Sequence, residues 1–334
     1  MPEGIKMRLI YLHEHQSAPG QGGGGAESFL QDQMQALNRL GYQTLWWYNQ
    51  MPLEQAIAEF KPDVAYVGTI HTQLGLWPVE WLRKNKIPHV WAIMDYYPFC
   101  SFSDGLNCTG RMMLVDGDKS CPGVTGLCPS TRPNMVEFVN QSPVMALNEH
   151  TADIYRRHGM RVDYVVELGI DTDKFCPGKR SDHVSIYTSS AWLMPHKGIH
   201  LLREALDGTG LGFEQISGVT REHVCQAIKA AHIFVFTSVY EETFGLSLCE
   251  NMSTGCACVA FDVAGARAQI HSGTGILVEN RNVNALRNAI LRLVNDKMLR
   301  EEMGENARQH VLYDHSLEAM GKRLESVYQN VISR

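Results

Sequence analysis

Glu242-Thr-Phe-Gly-Leu-Ser-Leu-Cys-Glu250 decides the reading of this chain. Two carboxylates, with seven residues between them, flank an apolar Phe-Gly-Leu. Ile233-Phe-Val-Phe-Thr237 comes just before, and Gly255-Cys-Ala-Cys-Val-Ala-Phe261 just after. Short uninterrupted apolar runs of this kind read as buried parallel strands. The spacing predicts a loop over Val239–Gly245 and a helix from about Leu246 to Thr254. Glu242 then stands at the carboxyl edge of a strand and Glu250 on the helix that follows. In open α/β sheets that edge is where ligands bind. The backbone N–H groups of Phe244, Gly245 and Leu246 would meet an anion at the helix N-terminus. Glu250 would accept two hydrogen bonds from a diol such as a ribose. Together these features suit a nucleotide diphosphate sugar.

The segment resembles the E-x7-E motif of the retaining glycosyltransferases of family 4, of the glycosyl transferases group 1 type. Thr237-Ser-Val-Tyr-Glu-Glu242 and Asn251-Met-Ser-Thr-Gly-Cys-Ala-Cys-Val259 are similar to the same block. The resemblance implies the GT-B fold: two Rossmann-like, doubly wound parallel-sheet domains facing a cleft. Residues 1–170 would form the acceptor domain and 171–314 the nucleotide-sugar domain. The C-terminal helix, 315–334, would pack back on the first.

Alternating strands and helices support that architecture independently. Met7–Leu12, Thr44–Tyr48, Val64–Gly68, His89–Met94, Pro143–Leu147 and Val162–Val166 read as strands of the first half. Ala26–Leu40, with Gly41 as its stop, and Leu53–Phe60 read as helices. Glu167-Leu-Gly-Ile-Asp-Thr-Asp-Lys-Phe-Cys-Pro177 resembles the family's interdomain connection. The second half restarts at Ser185–Ser189. It continues with helices at Lys197–Leu206 and Arg221–Ala231, strands at Phe213–Ser217 and Gly275–Val278, and helices at Val283–Asn295, Lys297–His310 and Leu317–Ile332. Residues 98–134 form the longest irregular stretch, of a length that is usually functional or mobile.

Further residues enter through the resemblance. Gly22-Gly-Gly-Gly-Ala-Glu27 is similar to the Gly-Gly-x-Glu loop that faces the cleft, which brings in Gly24 and Gly25. Ala191-Trp-Leu-Met-Pro-His-Lys-Gly198 resembles the Gly-Arg-Leu-x-x-x-Lys-Gly segment. Lys197 matches the lysine that meets the donor diphosphate, a suitable task for a point charge. Trp192 stands where the family has arginine, so one of two cations is missing. Trp91-Ala-Ile-Met-Asp-Tyr-Tyr-Pro resembles the His-Asp-x-x-Pro segment, with Asp95 kept and Met94 in the place of the histidine. His71 or His13 would then fill that role, unless each is a structural histidine. Thr243, on the Glu242 loop, and Gly218, after the Phe213–Ser217 strand, complete the expected donor site.

Composition sets outer bounds. The chain has 334 residues, enough for two domains, with 44% hydrophobic residues and a net charge of −6. The mean hydropathy is −0.19. No run of about 18 apolar residues predicts a membrane span. The acidic balance argues against nucleic-acid binding. Basic clusters at Arg83-Lys84-Asn85-Lys86 and Arg156-Arg157-His158 fit solvated helix ends or contact with an anionic membrane surface. Of nine cysteines, Cys249, Cys256 and Cys258 lie in apolar runs and read as buried thiols of a reducing cytosol. Cys100, Cys108, Cys121 and Cys128 cluster without the short zinc-knuckle spacing, leaving metal, disulfide and free thiol all open.

The expectation is a hexosyltransferase taking sugar from a UDP-sugar, without metal or other cofactor. It would be cytoplasmic or at the inner face of the plasma membrane. The acceptor would be a saccharide or lipid-linked. Alternatives are a nucleotide-sugar-binding protein of the same fold and a dinucleotide oxidoreductase. The last is disfavoured, since Gly22–Gly25 lacks Gly-x-Gly-x-x-Gly spacing and no acidic residue ends the second strand.

Overall fold

The computed structural model describes residues 6–14, 25–70, 74–96, 98, 133–189 and 195–334. Two parallel sheets organise the chain. The first holds β1 (Arg8–Leu12), β2 (Gln43–Trp47), β3 (Val64–Val67), β4 (His89–Ala92), β5 (Val144–Ala146) and β6 (Tyr164–Val165), in the order β2-β1-β3-β4-β5-β6. The second holds β7 (Ile186–Ser189), β8 (Glu214–Ile216), β9 (Ile233–Phe236), β10 (Ala257–Phe261) and β11 (Ile276–Val278), in the order β11-β10-β9-β7-β8. Both are doubly wound: the first strand of each lies one in from an edge, the sheet grows from it in both directions, and helices cover both faces.

Side-chain alternation along the strands divides the first core in two. Leu9, Tyr11, Val64, Tyr66, Val90 and Ala92 face the helices Gly25–Arg39 and Leu317–Ile332. Ile10, Leu12, Ala65, Val67, Trp91 and Val144 face the helices Leu53–Phe60, Trp77–Lys84 and Pro133–Val139. The C-terminal helix therefore packs back on the first domain, as expected. Its anchor is polar as well as apolar. The Tyr11 and Tyr328 hydroxyls lie 3.0 Å apart, and Gln33 Nε2 donates to both, at 3.1 Å and 3.0 Å. All three side chains are buried, so each polar group needs the others.

The two crossings between domains run side by side. Ile170 N donates to His315 O at 2.9 Å and Leu317 N to Ile170 O at 3.2 Å. Gly169 is required there: a Cβ would lie 2.6 Å from Ser316 O.

Three helices escaped the sequence reading: Trp77–Lys84, Pro133–Val139 and Ala264–Gln269. Each has eight residues or fewer, short of the roughly 11–18 residues over which a 3.6-residue period reads securely. The helix expected at Lys197–Leu206 begins at Ile199, after a 3-10 turn at Pro195–Lys197. The one expected to stop at His310 runs on to Asp314. Of the basic clusters, Arg83 is turned inward. Its guanidinium lies 4.2 Å from the Phe138 ring centroid and donates to Phe138 O and Ser142 Oγ. Arg156 pairs with Glu149 and Asp153 on the helix Glu149–Arg157. Cys249, Cys256 and Cys258 are buried free thiols. Cys100, Cys108, Cys121 and Cys128 lie outside the described residues.

Candidate functional site

The loop after β9 meets the turn after β7 at the carboxyl edge of the second sheet. Lys197 arrives through a tight approach. Gly198 has φ +65, and a Cβ there would collide with Thr237 O. Thr237 Oγ1 donates to Lys197 O at 2.5 Å. Only glycine lets the 3-10 turn lie this close to β9. Lys197 Nζ then reaches Glu242 Oε1 at 2.5 Å. Glu242 takes two further hydrogen bonds, from Ser238 Oγ at 2.8 Å and Tyr240 OH at 2.6 Å. The Lys197 ammonium also lies 5.1 Å from the Tyr240 ring centroid. Burial pushes the Glu242 carboxyl up, but Lys197, Tyr240 and Ser238 outweigh it and hold the group below the usual carboxylate range. Burial, then the neighbouring Glu242 charge, raises the Tyr240 phenol well above its ordinary value. A fixed anion and a fixed cation thus stand side by side at the sheet edge.

Beyond Glu242 the chain crosses toward the first domain. Thr243 Oγ1 donates to Met94 O at 2.9 Å, while Thr243 O accepts from Asn148 Nδ2 at 2.5 Å and Thr151 Oγ1 at 3.3 Å. Tyr96 OH donates to Glu241 O at 2.6 Å. Thr243 therefore docks the loop on the first domain with its hydroxyl and its carbonyl. Glu241 caps the helix Ala264–Gln269 by accepting from Ala264 N. Asp95 follows β4 next to Tyr96, and its charge contributes to raising the Tyr240 phenol.

Gly245, at φ 87, turns the chain into the helix Leu246–Ser253. Leu248 N bonds Gly245 O at 3.0 Å, so the N–H groups of Leu246 and Ser247 precede the first helical bond. Phe244 is buried with its ring 5.6 Å from that of His315; only its backbone lines the edge. Gln269 Nε2 holds the loop from below by donating to Phe244 O, and to Gly265 O at 3.0 Å. Glu250 lies one turn into this helix. Its Oε1 accepts from Arg221 Nη2 at 3.2 Å. Burial raises the Glu250 carboxyl to about 6, against the pull of Arg221.

Lys197 and Glu242 are thus brought together, and Glu250 stands on the next helix. Met94 and Asp95 follow β4 on the first-domain side, where Met94 O accepts from Thr243 Oγ1. Gly218, at φ +65, turns the chain after β8, and a Cβ there would meet no described atom within 4 Å. Gly25 opens the first helix. His71, Trp192 and Gly24 lie outside the described residues. Sequence reading missed Ser238 and Tyr240, although both stand in the quoted Thr237–Glu242 block at the spacing that points at Glu242. It also missed Arg221, Asp32, Asn148 and Tyr96, whose partners are remote in the chain. Asp171-Thr-Asp173 has Asp-x-Asp spacing, yet Asp171 Oδ1 accepts from Asp173 N and Lys174 N in its own turn. Among the described residues no group of three His, Cys, Asp or Glu could hold a metal ion. Among them, too, no helix is long and apolar enough to cross a membrane.

Residues 212–310 match the family model Glycosyl transferases group 1. That span contains Glu242, Glu250 and Arg221. Alpha-D-kanosaminyltransferase from Streptomyces kanamyceticus is 33% identical over 114 residues, which is 34% of this chain and 29% of that protein. The chain thus aligns with less than a third of this relative's length. Among solved structures, sucrose-phosphate synthase from Thermosynechococcus elongatus superposes with a TM-score of 0.74 at 16% identity, covering 98% of this chain and 100% of the other. Anabaena HepE in complex with UDP and glucose gives 0.68 at 17% identity, covering 97% and 99%. The fold is GT-B.

Proposed function

We propose that this chain is a retaining glycosyltransferase of family 4. It would move a hexose from a UDP-sugar to a saccharide or lipid-linked acceptor in polysaccharide or glycolipid synthesis. The observation that carries the reading is the Lys197–Glu242 pair, 2.5 Å apart at the edge of the second sheet, with Glu250 on the next helix. The match to the transferase family over this region and the likeness to a fold that holds UDP and glucose in HepE support it.

In this reading Lys197 and the N–H groups at the start of the helix Leu246–Ser253 bear the diphosphate charge as the glycosidic bond breaks. Charge placed in advance where it develops is the main source of rate. Glu242, held ionised, accepts from donor-sugar hydroxyls. Glu250 accepts from the ribose. Asp95 faces the site from the first domain. No metal and no other cofactor is assigned a part. Domain closure excludes water from the donor.

The test is a panel of UDP-, GDP- and ADP-sugars offered to the purified chain. Binding is read by calorimetry, release of nucleoside diphosphate by a coupled assay, and product configuration by NMR. Binding of one donor with transfer and retained anomeric configuration is expected. No binding to any of them sinks the reading.

A second reading, a nucleotide-sugar-binding protein without transfer, is favoured by Met94. Its thioether lies 3.9 Å from Thr69 Oγ1, and it can neither carry charge nor move a proton. Intact binding with no labelled product would select this second reading.

A further inference from the structure

Arg221 begins the helix Arg221–Lys229 of the second domain, yet its guanidinium reaches the first. Nη1 donates to Ser28 O at 3.1 Å and Nη2 to Asp32 Oδ2 at 2.5 Å, both on the helix Gly25–Arg39. The same Nη2 lies 3.2 Å from Glu250 Oε1. Its carbon sits 5.4 Å from the ring centroid of Phe175, in the interdomain connection. One cation therefore ties together the nucleotide-side carboxylate, a first-domain carboxylate and the connecting segment. Nε is buried and has no hydrogen-bond partner among the described residues.

We propose that Arg221 is a cross-domain positioning residue, coupling occupancy of Glu250 by a nucleotide ribose to closure of the first domain through Asp32 and Ser28. The inference rests on the reading of Glu250 as the ribose acceptor. Its physical basis is charge balance. Asp32 and Glu250 share a single guanidinium, so removal of Arg221 leaves two buried carboxylates facing each other across the domains. Like charges at such range drive the domains apart or force protonation. With Arg221 in place, Nη2 bonds Glu250 and Asp32 together while Nη1 holds Ser28 of the first helix. A lysine would not serve three acceptors in fixed directions.

Other charges among the described residues act on the triad. Besides Arg221, Glu250 feels Asp32 and Lys174, and Asp32 feels Asp171 and Lys174. Lys174 itself pairs with Glu222 at 3.6 Å, and Asp171 with Arg39 at 3.7 Å. Asp32 is raised by burial, against the pull of Arg221. Ribose hydroxyls bond best to an ionised Glu250, so donor affinity is full above about pH 6 and falls as pH drops through it. Neutralising Asp32 leaves Glu250 as the carboxylate partner of Arg221, removes a neighbouring negative charge, and shifts that fall to lower pH.

The experiment uses the full chain and UDP-glucose, whose phosphates do not titrate between pH 5 and 8, with GDP-mannose and ADP-glucose as alternates. Small-angle scattering of Arg221→Met without ligand is expected to show expansion relative to wild type, whose compact size corresponds to a radius of gyration of roughly 20 Å. Circular dichroism checks that the fold is kept. Calorimetry from pH 7 to pH 5 is expected to show about a 10-fold loss of affinity in wild type, and less than about 3-fold in Asp32→Asn. Asp32→Asn removes no packing and carries the test alone if Arg221→Met does not fold. Identical pH profiles for wild type and Asp32→Asn overturn the coupling, as does unchanged scattering of a folded Arg221→Met. Failure of wild type to bind any of the three donors refutes the transferase reading, and the coupling with it. Binding without coupling refutes the coupling alone.

Discussion

The Lys197–Glu242 pair offers the sharpest test of the site. Replacing Lys197 by Met keeps the length of the side chain and removes the charge. Glu242 would keep its hydrogen bonds from Ser238 and Tyr240 but lose its counter-ion. At 2.5 Å and an effective dielectric of about 20, the gross attraction is 332/(20 × 2.5), or about 7 kcal/mol. Desolvation of both groups offsets most of it. The side chains are 28% and 11% exposed, so a coupling of roughly 2–3 kcal/mol is expected, above the range of surface pairs. The assay is a double-mutant cycle of Lys197→Met and Glu242→Gln, read by urea unfolding. The pH dependence has a definite sign. Glu242 lies below the ordinary carboxylate value in the folded state. Its stabilising effect is therefore present above the unfolded value of about 4.3 and is lost as pH falls through the folded one. The coupling should be flat from pH 8 to 5 and shrink below about pH 4. A coupling under about 0.5 kcal/mol, or one unchanged in acid, would show that the pair is solvent-screened and refute the argument.

The same substitution bears on rate. A desolvated cation at a leaving diphosphate supplies about 3 kcal/mol or more, so transfer by Lys197→Met should fall at least about 100-fold. A two- or three-fold loss would mean that another cation carries the charge. Arg267, on the helix Ala264–Gln269 after β10, would be the first candidate, but it is paired with Asp262 at 2.7 Å and would have to leave it.

Three further outcomes are expected. Glu250→Ala should weaken donor binding by about 2–4 kcal/mol while unfolding stays near wild type, because Arg221 keeps Asp32 as its partner; unchanged affinity for UDP-glucose would sink the ribose role. Gly265→Ala should destabilise by about 1–3 kcal/mol and impair donor binding together, since a Cβ there meets Glu242 O at 2.8 Å and the Phe244 carbonyl; a silent variant would mean that the loop is not held by this helix. His315 is buried, with its ring lowered to about 4 by burial and by His310. Its neutral form stabilises fully above about pH 6.5, and this effect is lost as pH falls toward 4, by up to about 3 kcal/mol. His315→Gln should flatten that part of the urea-stability profile, and an equal slope in the variant would place the titration elsewhere.

The fold was legible because its signals are local and long. The buried parallel strands write themselves as unbroken apolar runs, as in Ile233–Phe236 and Ala257–Phe261, both wholly buried. The long amphipathic helices Val283–Asn295 and Leu317–Ile332 lie where their periodicity puts them. The helices that were missed are short, and Ala264–Gln269 consists of small and polar residues with one arginine. Its place is set by contact, with Glu241 capping its start and Gln269 gripping the Phe244 loop, and contact across the fold leaves no period to read.

The site divides along the same line. Lys197, Glu242 and Glu250 were legible because one sheet edge collects them through short connections: the turn after β7, the loop after β9 and the helix that follows. Ser238 and Tyr240 belong to that loop and were within reach of the same logic, as residues four and two positions before Glu242 that share its carboxylate. Arg221 was not. Its partners Ser28 and Asp32 are 193 and 189 residues away, and on its own helix it reads as an ordinary first-turn arginine. Only the return of the first helix to the second domain gives it a task. Chemistry held by one sheet edge can be inferred from strand order alone, whereas a cation spanning two domains has meaning only at one relative placement of them. Glu250 belongs to both classes. Its position on the helix follows from the motif, but its charge depends on Arg221 and on a carboxylate from the other domain.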